Sequence, residues 1–276
     1  MSPRVITVAN QKGGVGKTTS TVNIAASIAR AGRDVLVIDL DPQGNASTAL
    51  GAEHREGTPS IYEVLSGEQR LLDVVQPCPD IPRLWTAPAT IDLAGAEIEL
   101  VAQVAREYRL SRAIEAALAE RSFDYVFLDC PPSLGLLTLN GLVAAQEVLL
   151  PIQCEYYALE GLSQLLRTID MVRTHLNPSL TVGAILLTMY DGRTRLASQV
   201  ATEVRTHFGE QVLDTIVPRS VRVSEAPSYS QTVITYEPTS PGALAYVEAA
   251  AEIMAMEDSA EKQARDSTYA QSYPQT

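Results

Sequence analysis

The sequence predicts an α/β fold of a single domain, a mostly parallel, twisted β-sheet with helices on both faces. Three observations predict it. Short apolar or β-branched runs recur along the chain: Val5-Ile6-Thr7-Val8, Val35-Leu36-Val37-Ile38, Tyr125-Val126-Phe127-Leu128, Val148-Leu149-Leu150 and Ile185-Leu186-Leu187-Thr188. They are near-continuously apolar rather than alternating, which marks strands buried on both faces. Segments of helical length separate them, as parallel strands require. With 276 residues, 46% of them hydrophobic, the chain is long enough for one large core.

The elements follow in order. After the first strand comes the glycine-rich stretch Asn10-Gln11-Lys12-Gly13-Gly14-Val15-Gly16-Lys17-Thr18-Thr19. A helix follows, with Val22, Ala25, Ala26 and Ala29 at i, i+3, i+4 and i+7 and Gly32 where a C′ glycine belongs. The second strand is 35–38. The stretch from about 52 to 100 holds Pro59, Pro77, Pro79, Pro82 and Pro88 and reads as an insertion carrying short helices, not a separate domain. Later helices fall at about 106–120, 134–145, 159–175, 195–208 and 242–256, and no internal repeat is visible. From Glu257 the chain is polar, with too few apolar residues to pack. The expected division is therefore a domain over 1–256 and a disordered tail over 257–276.

Composition narrows the function. The formal net charge is −12, which argues against a surface coated in positive charge for nucleic acid, so any such contact must be local. Between Arg193 and Arg222 five arginines face three acids, a local +2 that a solvated surface would equally explain. Cys78, Cys130 and Cys154 are odd in number and widely spaced, which suits reduced thiols better than a disulfide framework or a zinc site. No apolar signal region opens the sequence and no long apolar run follows, so a soluble intracellular protein is expected.

Gly13-Gly14-Val15-Gly16-Lys17-Thr18 resembles a P-loop, set between a strand and a helix as that motif demands. The glycines let backbone N–H groups turn inward around phosphate oxygens. Lys17 adds charge at the β- and γ-phosphates, and Thr18 offers a hydroxyl to Mg²⁺. The usual spacing places a glycine at position 11, where this chain has Gln11, with Lys12 beside it. Lys17 already serves the phosphates, so Lys12 is a solvated surface residue, redundant, or aimed at another nucleotide across an interface.

Three acids accompany the loop. Asp39 and Asp41 follow the second strand in Asp39-Leu40-Asp41-Pro42-Gln43-Gly44-Asn45, two apart and so on one side of an extended chain. Asp129 follows the strand at 125–128 and suits a Walker B carboxylate that holds Mg²⁺ through water. Carboxylates at this edge of a parallel sheet point into the ligand crevice of open α/β folds.

Together with "KGGVGKTT", "DLDPQGN" and "DCPPSLGLLTLN", the stretches "PIQCEYYALEGLSQLL", "LTMYDGRTRLA" and "VPRSVRVSEAPS" resemble ParA-type partitioning ATPases of the Soj-like kind, over residues 4 to 254. The resemblance implies an ATP-dependent homodimer in which Lys12 of each subunit reaches the other's triphosphate. It implies nucleotide contacts from Lys12, Gly13, Gly14, Val15, Gly16, Lys17, Thr18 and Thr19, with Met189 and Pro218 bordering the adenine. Mg²⁺ is assigned to Thr18 and Asp129, with Asp39 close to the metal shell, and Asp41 positions the attacking water. Arg193 and Arg222, assisted by Arg195 and Arg219, match residues that bind DNA without sequence preference. A ParB-type centromere-binding protein stimulates hydrolysis in that family. The implied place is the cytoplasm, on the nucleoid and not on a membrane.

Rival readings share parts of the pattern. MinD-type ATPases have the same loop but end in a basic amphipathic membrane helix, whereas this C-terminus carries Glu257, Asp258, Glu261 and Asp266 against Lys262 and Arg265. Nitrogenase-type iron proteins need paired cysteines, for which Cys130 and Cys154 are available. Bacterial tyrosine kinases carry tyrosine clusters in their tails, and only Tyr269 and Tyr273 lie here. A nucleotide-dependent scaffold without turnover is the non-enzymatic alternative.

Overall fold

A computed structural model describes residues 3–155 and 158–272. Its strands are β1 (Arg4–Val8), β2 (Val35–Asp39), β3 (Gln76–Pro77), β4 (Leu84–Ala87), β5 (Tyr125–Asp129), β6 (Glu147–Gln153), β7 (Thr181–Tyr190) and β8 (Val212–Pro218). They form one sheet in the order β3-β4-β2-β5-β1-β6-β7-β8. The β3–β4 pair is antiparallel and the other pairs are parallel. The helices are α1 (Lys17–Arg30), α2 (Asn45–Ala49), α3 (Ile61–Ser66), α4 (Leu71–Val74), α5 (Leu93–Glu99), α6 (Arg109–Glu120), α7 (Leu136–Ala144), α8 (Ala158–His175), α9 (Arg195–Phe208), α10 (Val221–Glu225), α11 (Val233–Tyr236) and α12 (Pro241–Ser272).

Strand alternation divides the core into two layers. Tyr125 and Phe127 face the side where Ile24 and Ile28 of α1 meet Tyr246 and Ile253 of α12. Val126 and Leu128 face the other side, packed with Leu110 and Ile114 of α6, Leu142 of α7 and Leu165 of α8. The sheet is thus covered on both faces, which is why its strands are apolar throughout. Truncating a core side chain such as Leu36, 1% exposed, to alanine costs about 2–5 kcal/mol. Arg4 at the start of β1 pairs with both Glu147 oxygens at 2.7 Å and donates to the Ile253 carbonyl, tying α12 to that end of the sheet.

The parallel sheet, the covering helices and the apolar face of α1 are as the sequence predicts. Gly32 closes α1 at φ +94°, a left-handed conformation that favours glycine. The structure adds strands the sequence does not announce. β3 and β4 lie within the 52–100 stretch and extend the sheet beyond β2, alongside the short helices α3, α4 and α5 expected there. The run at Leu84–Ala87 is too short for a period and sits between Pro82 and Pro88. β8 is an edge strand whose apolar pattern is broken by Asp214 and Thr215.

The backbone of α12 continues to Ser272, past the 242–256 range read from the sequence. Its Ala, Glu, Lys, Gln and Arg content gives that segment helical propensity without apolar periodicity. Residues 273–276 of the expected tail lie outside the described residues. Among the described residues no helix is long and apolar enough to cross a membrane.

Candidate functional site

The parallel order brings the C-terminal ends of β2, β5 and β1 side by side, with Asp39, Asp129 and Val8 in register. The chain leaves β1 into the glycine loop and turns into α1. Gly14 and Gly16 have φ of +72° and +87°, and Gly16 is the N-cap of α1. The loop is pinned from two sides. Asn10 donates through Nδ2 to the Pro151 carbonyl at 2.8 Å and accepts the Lys12 N–H at 3.0 Å. The Val15 carbonyl accepts from Thr188 Oγ1 at 2.8 Å. Around Gly13 and Gly14 an added Cβ would meet nothing within 4 Å. The loop opens on a cavity of about 430 Å³ lined by Gly14, Gly16, Lys17, Thr18 and Asp41 among others.

The two lysines have different environments. Lys17 is buried at the start of α1, and its Nζ donates to the Lys12 carbonyl at 3.3 Å. Burial pulls the Lys17 ammonium below its ordinary pKa, and the carboxylate of Asp129 pulls the other way. Lys12 sits on the rim, with Nζ 3.2 Å from Glu155 Oε2. Its side chain is about one-third exposed, at 35%.

The three acids divide the work. Asp129 is fully buried; Oδ1 accepts from Thr21 Oγ1 at 2.9 Å, and Oδ2 has no hydrogen-bond partner among the described residues. Burial, and next the carboxylate of Asp39, raise the pKa of Asp129, against the hydroxyls of Thr18 and Thr21. Asp39 is equally buried, but its oxygens are engaged. Oδ1 accepts the Asp41 N–H at 3.1 Å, and Oδ2 accepts the Ser47 N–H at 2.8 Å and hydroxyl at 2.7 Å. Burial raises Asp39 too. Asp41 lines the cavity and accepts the Gln43 N–H through Oδ1 at 3.0 Å.

This donor set fits a magnesium–nucleotide complex. An orphaned carboxylate oxygen at full burial is costly unless something occupies it. Here it stands with the Thr18 hydroxyl beside the glycine loop and Lys17, and hard oxygen donors suit Mg²⁺. Asp39 by contrast anchors the loop and α2 through Ser47.

A smaller cavity of about 160 Å³ adjoins Gly16, lined by Thr19, Met189, Pro218, Val223 and Tyr246 among others. It is mainly apolar, as a flat base requires. Met189 holds φ at +51°, an uncommon value for a non-glycine residue, where β7 ends against the glycine loop.

Arg193 and Arg219 follow β7 and β8, neighbouring strands with Tyr190 and Pro218 in register. Arg193 is 88% exposed and grips Asp191 with bonds of 2.8 and 2.7 Å. Arg222 pairs with Glu225 at 3.0 Å. Arg219 Nη2 lies 3.6 Å from Glu155 Oε1, and Arg195 opens α9. Cys78, Cys130 and Cys154 are each buried, and burial pushes all three thiols up.

Sequence reasoning missed Ser47, Thr21, Thr188, Asn10 and Glu155. Of these only Glu155 has a signal, since it lies two residues past the end of β6, at the same sheet edge as the acids.

Comparison with known proteins adds the following. A family model described as an AAA domain matches residues 3–182. The sporulation initiation inhibitor protein Soj of Bacillus subtilis (strain 168) is 49% identical over 252 residues, covering 91% of this chain and 98% of that protein. The chromosome partitioning protein ParA of Myxococcus xanthus (strain DK1622) is 51% identical over 251 residues, covering 91% of this chain and 88% of that protein. Among solved structures, one described as cobyrinic acid a,c-diamide synthase from Mycobacterium smegmatis, with bound ADP and magnesium, has a TM-score of 0.81. It is 40% identical and covers 94% of this chain and 96% of that one.

Proposed function

The chain belongs to the Soj/ParA family of chromosome-partitioning ATPases, and from that premise we propose that it is an ATP-switched DNA-partitioning ATPase working as a homodimer. The observation that carries this reading is the placement of the two lysines. Lys17 enters the cavity, whereas Lys12 stands on its rim with its ammonium on Glu155. A lysine so placed serves a phosphate that a second copy of the chain brings to it.

On this reading the N–H groups of residues 13–19 surround the phosphates and Lys17 neutralises them. Thr18 and Asp129 hold Mg²⁺, which offsets charge that develops on the phosphoryl oxygens during transfer. Asp39 lies close to the metal shell, where it fixes Asp41 through the backbone and α2 through Ser47. Asp41 orients the attacking water, and Lys12 reaches the partner's triphosphate. Transfer through a loose transition state needs positioning and charge neutralisation more than a strong base, so unaided hydrolysis to ADP is slow. The adenine sits by Met189 and Pro218.

Each monomer offers DNA a few arginines, and Arg193 and Arg222 are occupied by their own acids. Dimerisation doubles them on one particle, so that ATP turns on non-specific binding that salt weakens steeply. Stimulation by a ParB-type partner then ends each cycle. The protein works in the cytoplasm on the nucleoid, with no membrane role. Residues 1–256 form the ATPase domain, and 257–276 a tail outside it.

The experiment is Asp41→Ala. It is expected to bind ATP, dimerise and stay on DNA while hydrolysis falls about a hundredfold or more. Full hydrolysis with rapid release from DNA overturns the assignment.

A further inference from the structure

A polar turn follows α2, and one of its side chains leaves the solvent. Glu53 and Arg55 stand exposed and pair with each other at 3.3 Å. His54 between them is half-buried and turned back onto α2, with Nε2 3.0 Å from Thr48 Oγ1. Its other ring nitrogen, Nδ1, lies 2.9 Å from the point that a Cβ on Gly44 would occupy. Gly44 has φ +62°, a left-handed value that favours glycine, and with the ring so close no side chain fits there.

The hydroxyl of Thr48 fixes how the ring is used. It has one proton, which Oγ1 gives to the Gly44 carbonyl at 3.0 Å. Toward His54 the same oxygen can only accept, so Nε2–H is the donor, and the neutral ring keeps no proton on Nδ1. Gly44 in turn donates its N–H to the Asp41 carbonyl at 2.9 Å. A continuous chain of hydrogen bonds thus runs from His54 through Thr48 and Gly44 to the backbone of Asp41, and bonds in such a chain polarise one another. From the other side Asp39 Oδ1 accepts the Asp41 N–H at 3.1 Å. Asp41, Gln43, Asn45 and Thr48 all line the 430 Å³ cavity, so the turn against which His54 packs borders the nucleotide site.

We propose that His54 is a positioning residue for hydrolysis. By donating from Nε2 to Thr48 it holds the turn 41–44 closed and fixes where Asp41 presents its carboxylate. It acts through Thr48 and Gly44, not on the nucleotide. A small displacement of a positioned group slows transfer while ground-state binding stays the same, so the loss belongs to kcat. That kinetic consequence rests on the reading of Asp41 above; the hold on the turn does not.

The test uses the full chain with His54→Gln, which keeps a donor near the place of Nε2, and His54→Leu, which keeps bulk without it. His54→Leu is expected to lower kcat for ATP about fivefold, the factor that an ordinary neutral hydrogen bond is worth, with affinity for a fluorescent ATP analogue unchanged. His54→Gln is expected to recover most of the rate, and hydrogen exchange at 42–48 to quicken in His54→Leu alone. The chain has three histidines, so His175→Gln with His207→Gln leaves one ring to observe. Its nitrogen-15 spectrum is expected to show the proton on Nε2, a result that needs no substitution at His54 and stands even if His54→Leu folds poorly. A proton on Nδ1, or His54→Gln no faster than His54→Leu, overturns the proposal. So does a loss in His54→Leu that falls on nucleotide affinity instead of kcat. A slow His54→Leu beside a fully active Asp41→Ala removes the reading of Asp41 alone. A fully active His54→Leu beside a slow Asp41→Ala removes the role of His54 alone.

Discussion

The ammonium of Lys12 stands 3.2 Å from Glu155 Oε2, while Arg219 approaches Oε1 of the same carboxylate at 3.6 Å. With the two side chains 35% and 46% exposed, the Lys12 pair is worth at most about 1 kcal/mol. It parks Lys12 without locking it. Glu155→Gln is therefore expected to favour the ATP-bound dimer by up to about fivefold in sedimentation, with monomer nucleotide affinity unchanged. Lys12→Ala is expected to lose the dimer while it still binds nucleotide. A weaker dimer in Glu155→Gln contradicts the parking role.

The buried acids make nucleotide binding a proton-linked event. Burial raises Asp39 and Asp129 above the ordinary carboxylate range, with the carboxylate of Asp41 adding to the shift of Asp39 and that of Asp39 to the shift of Asp129. A raised folded-state pKa gives stability that is complete below about pH 4 and is lost as pH rises through the raised values toward neutrality. Magnesium favours the ionised carboxylate and reverses this preference. Mg-ATP binding near pH 7 is thus expected to release up to about one proton, seen in calorimetry as a binding enthalpy that varies with the buffer's ionisation enthalpy. Chelating the magnesium removes most of the release. Buffer-independent enthalpies with magnesium present contradict the assignment.

The arginines make a prediction about slope. Each phosphate contact adds about 0.9 to the magnitude of the log–log salt dependence, and a dimer counts each arginine twice. Arg193→Ala or Arg222→Ala is expected to flatten the slope by about two, uniformly across DNA sequences. A variant that loses affinity with the slope unchanged acts through folding instead.

The glycine loop is legible in the sequence because its backbone requires those residue types: Gly14 and Gly16 take left-handed φ values, and Lys17 and Thr18 follow at the helix start. The acids are legible as strand ends. What spacing cannot distinguish is their division of labour. Asp39 and Asp41 read as equals, yet Ser47, eight residues on, occupies Asp39 while Asp41 faces the cavity. Thr21, Thr188 and Glu155 reach the site from separate elements, and a single hydroxyl or carboxylate leaves no periodic trace. β4 and β8 escape because one is four residues long and the other lies on the sheet edge, where polar residues interrupt the apolar pattern.

The central claim is that ATP switches DNA binding on. The most direct measurement is binding to a random-sequence duplex with no nucleotide, with ADP and with a slowly hydrolysed ATP analogue, at two salt concentrations. Binding is expected only with the analogue, weakened steeply by the higher salt. Equal binding in all three states, or none in any, contradicts the claim.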